Sequence, residues 1–483
     1  MRDRYRMRLR GATLLVKSAG HKSATFAAYG AALAALAYGI TALADPAAGP
    51  AADTSWPTIV GAQFTSIVQN QSSLRSPYQG PLSLDPSGDT EPTETIGLYL
   101  GWAPFSWAQL YLDTEKFNGA GVSNATGLAG LTNGDVIREG ASRLPKRFYV
   151  ARKYLRLMWP LAPGVARVEA AQDQIGGTEA TSRLELKFGL LAANDDFDRN
   201  RYANSARTQF LNWSLWNDTA WDYAADTRGY SDGGVLAYVS PTWSVRYGAF
   251  LMPAMANGQQ LEESFRHAHG QQAELTLSPW RTGTIVRFLA YQNIANMGIY
   301  SEALAIAAAT HGVPNIVADD RPGRQKYGFG VNLEQPLADD GVTGVFVRAG
   351  WNNGATESFV FTEVDRLVSL GGQLSGVHWH RRDDYLGIAW AQEGLSSAHA
   401  AYLAAGGEGF LLGDGALSYA HERIFETYYN FVFKWPFGTI PGTAGHAQPR
   451  LYVGPDFQYV SNPGYNAARG PVHFWGVRAH LEY

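Results

Sequence analysis

Charged side chains stand at every second position in several apolar stretches of this 483-residue chain. From Phe148 to Met158, Arg152, Tyr154 and Arg156 share one face of an extended strand, with Tyr149, Ala151, Leu155 and Leu157 on the other. Lys153 is the exception, and must snorkel to an interface if that apolar face meets lipid. Asp113 and Glu115 alternate with Leu110 and Leu112. Glu185 and Lys187 alternate with Leu184, Leu186, Phe188 and Leu190, and Arg246 lies opposite Trp243, Val245, Tyr247, Ala249 and Leu251. Fixed charges of both signs, opposed across a narrow water-filled passage, orient polar solutes and hold back ions of either sign. The same charges can instead serve only to satisfy one another in a wall.

Bond-making chemistry is not indicated. The chain has no Gly-x-Ser-x-Gly elbow, no His-Glu-x-x-His helix and no Gly-x-x-x-x-Gly-Lys loop, so no catalytic residue and no cofactor is assigned. His267/His269 and His378/His380 would each put two imidazoles on one strand face, as zinc can use. No third ligand lies nearby, and no metal is assigned.

A second set of residues offers binding rather than charge. Trp213, Trp216, Trp221, Asp222, Tyr223, Asp226 and Arg228 fall within one long polar stretch, 195–230. Aromatic faces suit the C–H surfaces of a neutral polyol, and the polar groups exchange hydrogen bonds with its hydroxyls. The alternative is a small aromatic cluster that only holds the loop in place.

These residues need strands to position them. Alternation also puts Ile96, Leu98, Leu100 and Trp102 on one face, then Val345, Val347, Ala349 and Trp351, then Thr427, Tyr429, Phe431, Phe433 and Trp435. Their opposite faces include Tyr99, Arg348, Asn430 and Lys434, a polar interior if the apolar faces meet lipid. Alternation alone also fits a soluble sandwich. Three features favour a barrel: apolar faces ending in Trp102, Trp351 and Trp435, a mixture of tight turns with long polar connections, and a terminal strand ending on the aromatic Tyr483. The 435–438 segment (WPFG) reads as one of the tight turns, and 195–230 as a long loop able to fold into the lumen.

Residues 1–44 read as an export signal: seven basic residues precede an Ala/Leu-rich run that ends at Ala42-Leu43-Ala44. The remaining 45–483 form one barrel domain with 32 basic and 42 acidic residues, so nucleic acid is excluded as a partner. The absence of cysteine rules out thiolate metal sites and disulfide scaffolds. No apolar run of about 20 residues follows the signal, which excludes a helical membrane protein. The length suits an all-β, transmembrane antiparallel β-barrel of about 16 strands, with long extracellular loops partly folded into the lumen.

The stretch 221–230 (WDYAADTRGY), with 210–213 (FLNW) before it, resembles the signature of the carbohydrate-selective (OprB-type) porins. Similar agreement runs through 127–135 (GLAGLTNGD), 247–258 (YGAFLMPAMANG), 295–298 (ANMG), 356–366 (TESFVFTEVDR), 402–415 (YLAAGGEGFLLGDG) and 462–471 (NPGYNAARGP). The resemblance implies a barrel in the outer membrane of a Gram-negative bacterium that passes monosaccharides such as glucose, other small solutes and ions down their gradients. Carbohydrate solutes, outer-membrane lipid and the barrel-assembly machinery are the expected partners, with monomer and homotrimer both open. The rival readings are an outer-membrane barrel enzyme and a soluble, lectin-like periplasmic β protein.

Overall fold

A computed structural model describes residues 59–135, 144–361, 363–434 and 449–483. The expected export signal 1–44, Trp435 and the 435–438 turn lie outside the described residues.

Alternating sequence becomes alternating wall. The strands are β1 (Ile59–Gln71), β2 (Asp89–Phe105), β3 (Ala108–Asn118), β4 (Tyr149–Pro160), β5 (Val165–Val168) and β6 (Gly177–Ala180). There follow β7 (Arg183–Leu191), β8 (Ser231–Val239), β9 (Trp243–Leu251), β10 (His269–Leu277), β11 (Ile285–Met297) and β12 (Arg321–Ala338). The chain continues through β13 (Thr343–Asn352), β14 (Arg366–Ser375), β15 (Tyr385–Gly394), β16 (Glu422–Lys434), β17 (Arg450–Ser461) and β18 (Val472–Glu482).

Sixteen of these form a closed antiparallel barrel, each paired with its neighbour in sequence, while β5 and β6 stand apart as a two-stranded hairpin. Closure comes from β1 against β18, and Ala62 and Tyr483 exchange backbone hydrogen bonds of 2.9 Å at the seam. Closing the sheet leaves no strand edge with unpaired backbone groups, the condition for crossing a bilayer with strands.

The apolar faces lie outward. Leu98, Val245, Val347 and Phe431 are all exposed on the outer wall, while Arg348, Glu426 and Asn430 on the inner wall are wholly buried. Connections are short at one end, as at 106–107, 240–242 and 339–342, and long at the other, as at 119–148, 192–230 and 395–421. Among the described residues no helix is long and apolar enough to span a membrane.

The expected face of β4 needs one correction. Asp113 pairs with Arg152 but Thr114 pairs with Val150, so Ala151 is an extra residue in a β-bulge. Below the bulge Arg152, Tyr154 and Arg156 keep the expected parity. Above it the phase reverses, so Tyr149 faces the lumen instead of joining Leu155 and Leu157 outside. Lys153 is exposed on the outer wall, paired with Leu112 and Leu190.

Candidate functional site: an aromatic and charged cavity beside an inserted loop

The 192–230 connection does not stay above the barrel; it runs through the lumen. Inward side chains hold its backbone: Glu426 accepts from the Leu211 and Asn212 N–H groups, and Arg348 donates to the Leu215 and Ala203 carbonyls. Arg478 donates to the carbonyls of Ala206 and Gln209, and Tyr202 Oη reaches the Gly341 carbonyl in a connection at the short-turn end. Inward glycines make room for it. A Cβ at Gly350 on β13 or Gly330 on β12 would collide with Asp218 of the loop. The loop's apolar side chains, Phe197, Phe210, Leu215 and Trp221 among them, join the inner wall in one buried cluster.

The loop fills the lumen unevenly. Between it and β2–β4 remains a cavity of about 140 Å³. One side is aromatic: Trp213 and Trp216 stack with centroids 5.4 Å apart, and Phe361 lies 5.0 Å from Trp213. Trp213 and Trp216 stand on a single helical turn, which Asn212 caps by accepting the Ser214 N–H. Their indole N–H groups have no hydrogen-bond partner among the described residues. Tyr223 completes this face.

The other side is charged. Glu115 accepts from Tyr230 Oη at 2.6 Å, Tyr149 Oη at 3.1 Å and Arg207 at 3.0 Å, and Arg207 also holds Asp135 at 2.8 Å. Arg228 lies 4.5 Å from the Tyr149 ring centroid, a cation–π contact. Arg152 closes the lower rim. It grips Asp195 through two hydrogen bonds of 2.6 and 2.9 Å and reaches Asp113 at 3.4 Å. Burial pushes Asp195 up, but Arg152 outweighs it and holds the carboxyl below the usual range.

Continuing down the β3–β4 wall, Tyr111 stacks on Tyr154 at 4.9 Å. Beneath them Arg156 pairs with Glu185 at 2.8 Å and with Glu179 at 2.5 Å. Of the eight residues expected at a constriction, Arg152 and Glu115 line the cavity. Asp113, Tyr154, Arg156 and Glu185 form the ladder below. Lys187 is bound to Asp196 at 2.7 Å, and Arg246 pairs in register with Glu274 across β9 and β10, away from this cavity.

The aromatic stretch divides in the same way. Trp213, Trp216, Tyr223 and Arg228 line the cavity. Three residues do not. Trp221 is buried among Phe197 and Tyr223. Asp222 accepts the Phe359 and Val360 N–H groups and holds Lys326 at 3.0 Å. Asp226, pushed up to about 6 by burial, accepts the backbone N–H groups of Arg228 and Tyr230 and so shapes the turn that presents them. These three hold the loop rather than face the space.

Sequence periodicity had no means of finding Asp135, Arg207, Tyr230 or Phe361, which lie in connections or at a strand's edge. The paired histidines are engaged elsewhere: His269 with the Phe265 carbonyl, and His378 with Asp339. His267 precedes its strand, so it does not share a strand face with His269. Among the described residues no cluster suits a metal ion.

Comparison with known proteins bears on the fold and the family. The high-pH structure of OprB from Pseudomonas putida superposes with a TM-score of 0.62 at 15% identity, over 88% of this chain and 94% of that one. The outer-membrane channel DcaP of Acinetobacter baumannii gives 0.44 at 10% identity, over 88% and 96%. No curated protein matches the chain by sequence. The model of the carbohydrate-selective porin family, OprB, matches residues 100–483, which include the cavity's wall strands β3 and β4 and the whole inserted loop. With a closed barrel, an apolar outer wall and a lumen narrowed by an inserted loop, this chain belongs to the OprB family of carbohydrate-selective porins of the Gram-negative outer membrane, and is a channel rather than an enzyme.

Proposed function

We propose that the chain lets monosaccharides such as glucose diffuse passively through the cavity between the inserted loop and β2–β4. The observation that carries this reading is the two-sided cavity itself, with the stacked Trp213 and Trp216 facing Arg152, Arg207, Arg228 and Glu115. A pyranose presents apolar C–H faces and a rim of hydroxyls, and the two sides match these in turn. Passive flux needs no energy source, only binding weak enough to release. Residues 1–44 act as the export signal on this reading and are removed in the mature chain.

Planar-bilayer recording with glucose, and liposome swelling over mono-, di- and trisaccharides, test the proposal. Glucose should reduce ion current in a saturable way, and swelling should fall steeply from mono- to trisaccharide. Current indifferent to glucose, with equal swelling rates for all three classes, would refute it.

A further inference from the structure

The connection between β4 and β7, residues 161–182, differs from the other described connections at the short-turn end in length and in path. Its stem, β5 and β6, makes no strand pairing with the barrel. Strand β5 stands in solvent, with Val165 69% exposed and the side chains of Arg167 and, just beyond it, Glu169 80% and 76% exposed, whereas β6 turns the side chain of Glu179 to the barrel wall. Its tip turns back into the lumen.

There a few residues are held, all on the wall beneath the cavity. Ile175 donates its N–H to Tyr111 Oη at 3.2 Å. Asp173 lies 3.6 Å from Arg152 and beside the carboxyl of Asp113. Glu179 pairs with Arg156 at 2.5 Å and with Arg183 at 3.2 Å. Asp113, an inward residue of the wall, has no exposed surface, and Tyr111 and Tyr154 are buried beside it. The tip therefore occupies the lumen at the level just below Arg152.

Its charges matter as much as its volume. Without the hairpin, Arg152 would keep Asp113 and Asp195, and Arg156 would keep Glu185 and Gln109. The two acids that the hairpin adds, Asp173 and Glu179, shift the local balance toward negative charge in a confined, poorly solvated passage, where fixed charge governs which ion passes.

We propose that hairpin 161–182 is the floor of the passage and sets its selectivity, with Asp173 and Glu179 as specificity-determining residues that offset Arg152 and Arg156. The proposal rests on the passage running along the β3–β4 wall. Two variants test it in single-channel recording of the whole chain, with no sugar present. Replacing 169–176 by an Asn-Gly turn removes the tip, and conductance should rise about twofold as the floor opens. Asp173→Asn with Glu179→Gln keeps the tip's volume, and the anion-to-cation permeability ratio should rise about threefold.

Wild-type conductance in the first variant, or an unmoved reversal potential in the second, overturns the proposal. Should the shortened chain fail to assemble, the charge variant decides alone, since it keeps the hairpin's length. Both readouts use ions only. A channel that widens on deletion but shows no glucose block would refute the sugar reading and leave the floor standing, and the reverse result would do the opposite.

Discussion

On the β12–β18 side of the lumen, inward side chains end on the backbone of the inserted loop, whereas on the β2–β4 side they end on other side chains, several of them the loop's, around open space. Arg348, Glu426 and Arg478 have all or nearly all of their surface covered, each bonded to carbonyls or N–H groups of 192–230. Glu115, Arg207 and Arg152 are tied into charge pairs, yet each still borders the cavity. Both sides carry the same inward polar alternation. What separates them is where the loop lies, and that is decided by contacts far apart in sequence.

The largest effect should come from breaking the filled side. Arg348 is fully buried and bonds Asp198 as well as two loop carbonyls, so Arg348→Ala strands a buried carboxylate and leaves loop carbonyls unpaired. The expected loss is about 3–5 kcal/mol. Heat-modifiable migration and urea titration of the refolded barrel would show it, and a variant with wild-type stability would mean that the loop is not held by this wall. Next in size is the outer face. Val245→Arg places charge on the lipid side at a cost of about 2–4 kcal/mol near the midplane. Its folding yield should drop, whereas Ser244→Arg, one residue away on the inner face, should assemble better; equal yields would put the phase of β9 in error.

Strand faces were legible because a barrel imposes one rule on every strand, apolar outward at every second residue, and Trp243 to Leu251 or Val345 to Trp351 obey it without interruption. The rule tells inward from outward and nothing further. It failed at Tyr149, because the bulge at Ala151 inserts one residue and no local signal marks it. It said nothing of Arg207, Asp173 or Glu179, which reach the lumen from connections. In the aromatic stretch, the residue types suited sugar contact and loop anchoring alike. Trp213 and Trp221 are chemically identical and both pack in the buried cluster, and only the fold around them gives Trp213 an edge on the cavity.

That pair supplies the next test of the comparison. Trp213→Ala should weaken glucose block by up to about tenfold, from the loss of one aromatic face worth about 0.5–1.5 kcal/mol. Assembly should be affected less than in Trp221→Ala, where a side chain only 2% exposed is lost from the packed cluster. Block and yield measured on both variants separate the roles. Equal loss of yield in the two, with block unchanged in Trp213→Ala, would make both tryptophans structural.

The smallest expected effect is the sharpest contrast, because it sets one arginine against another. Arg348 is used up by the fold, but Arg228 makes no ion pair among the described residues and rests against Tyr149 at the cavity's edge. Its backbone N–H, which Asp226 accepts, survives any side-chain change, so the turn 226–230 keeps its shape in Arg228→Ala. Stability should fall by only about 0.5–1 kcal/mol, the scale of an exposed cation–π contact. Function should register the change instead. With one positive charge gone from the cavity, cation permeability relative to anion permeability should rise about twofold, and glucose block should weaken by a similar factor as a guanidinium donor is lost. Reversal potentials in a salt gradient and glucose titration of the current give both numbers from one preparation. A variant as unstable as Arg348→Ala, with its selectivity unmoved, would place Arg228 with the residues that hold the loop and leave the cavity's charged side to Arg152 and Arg207.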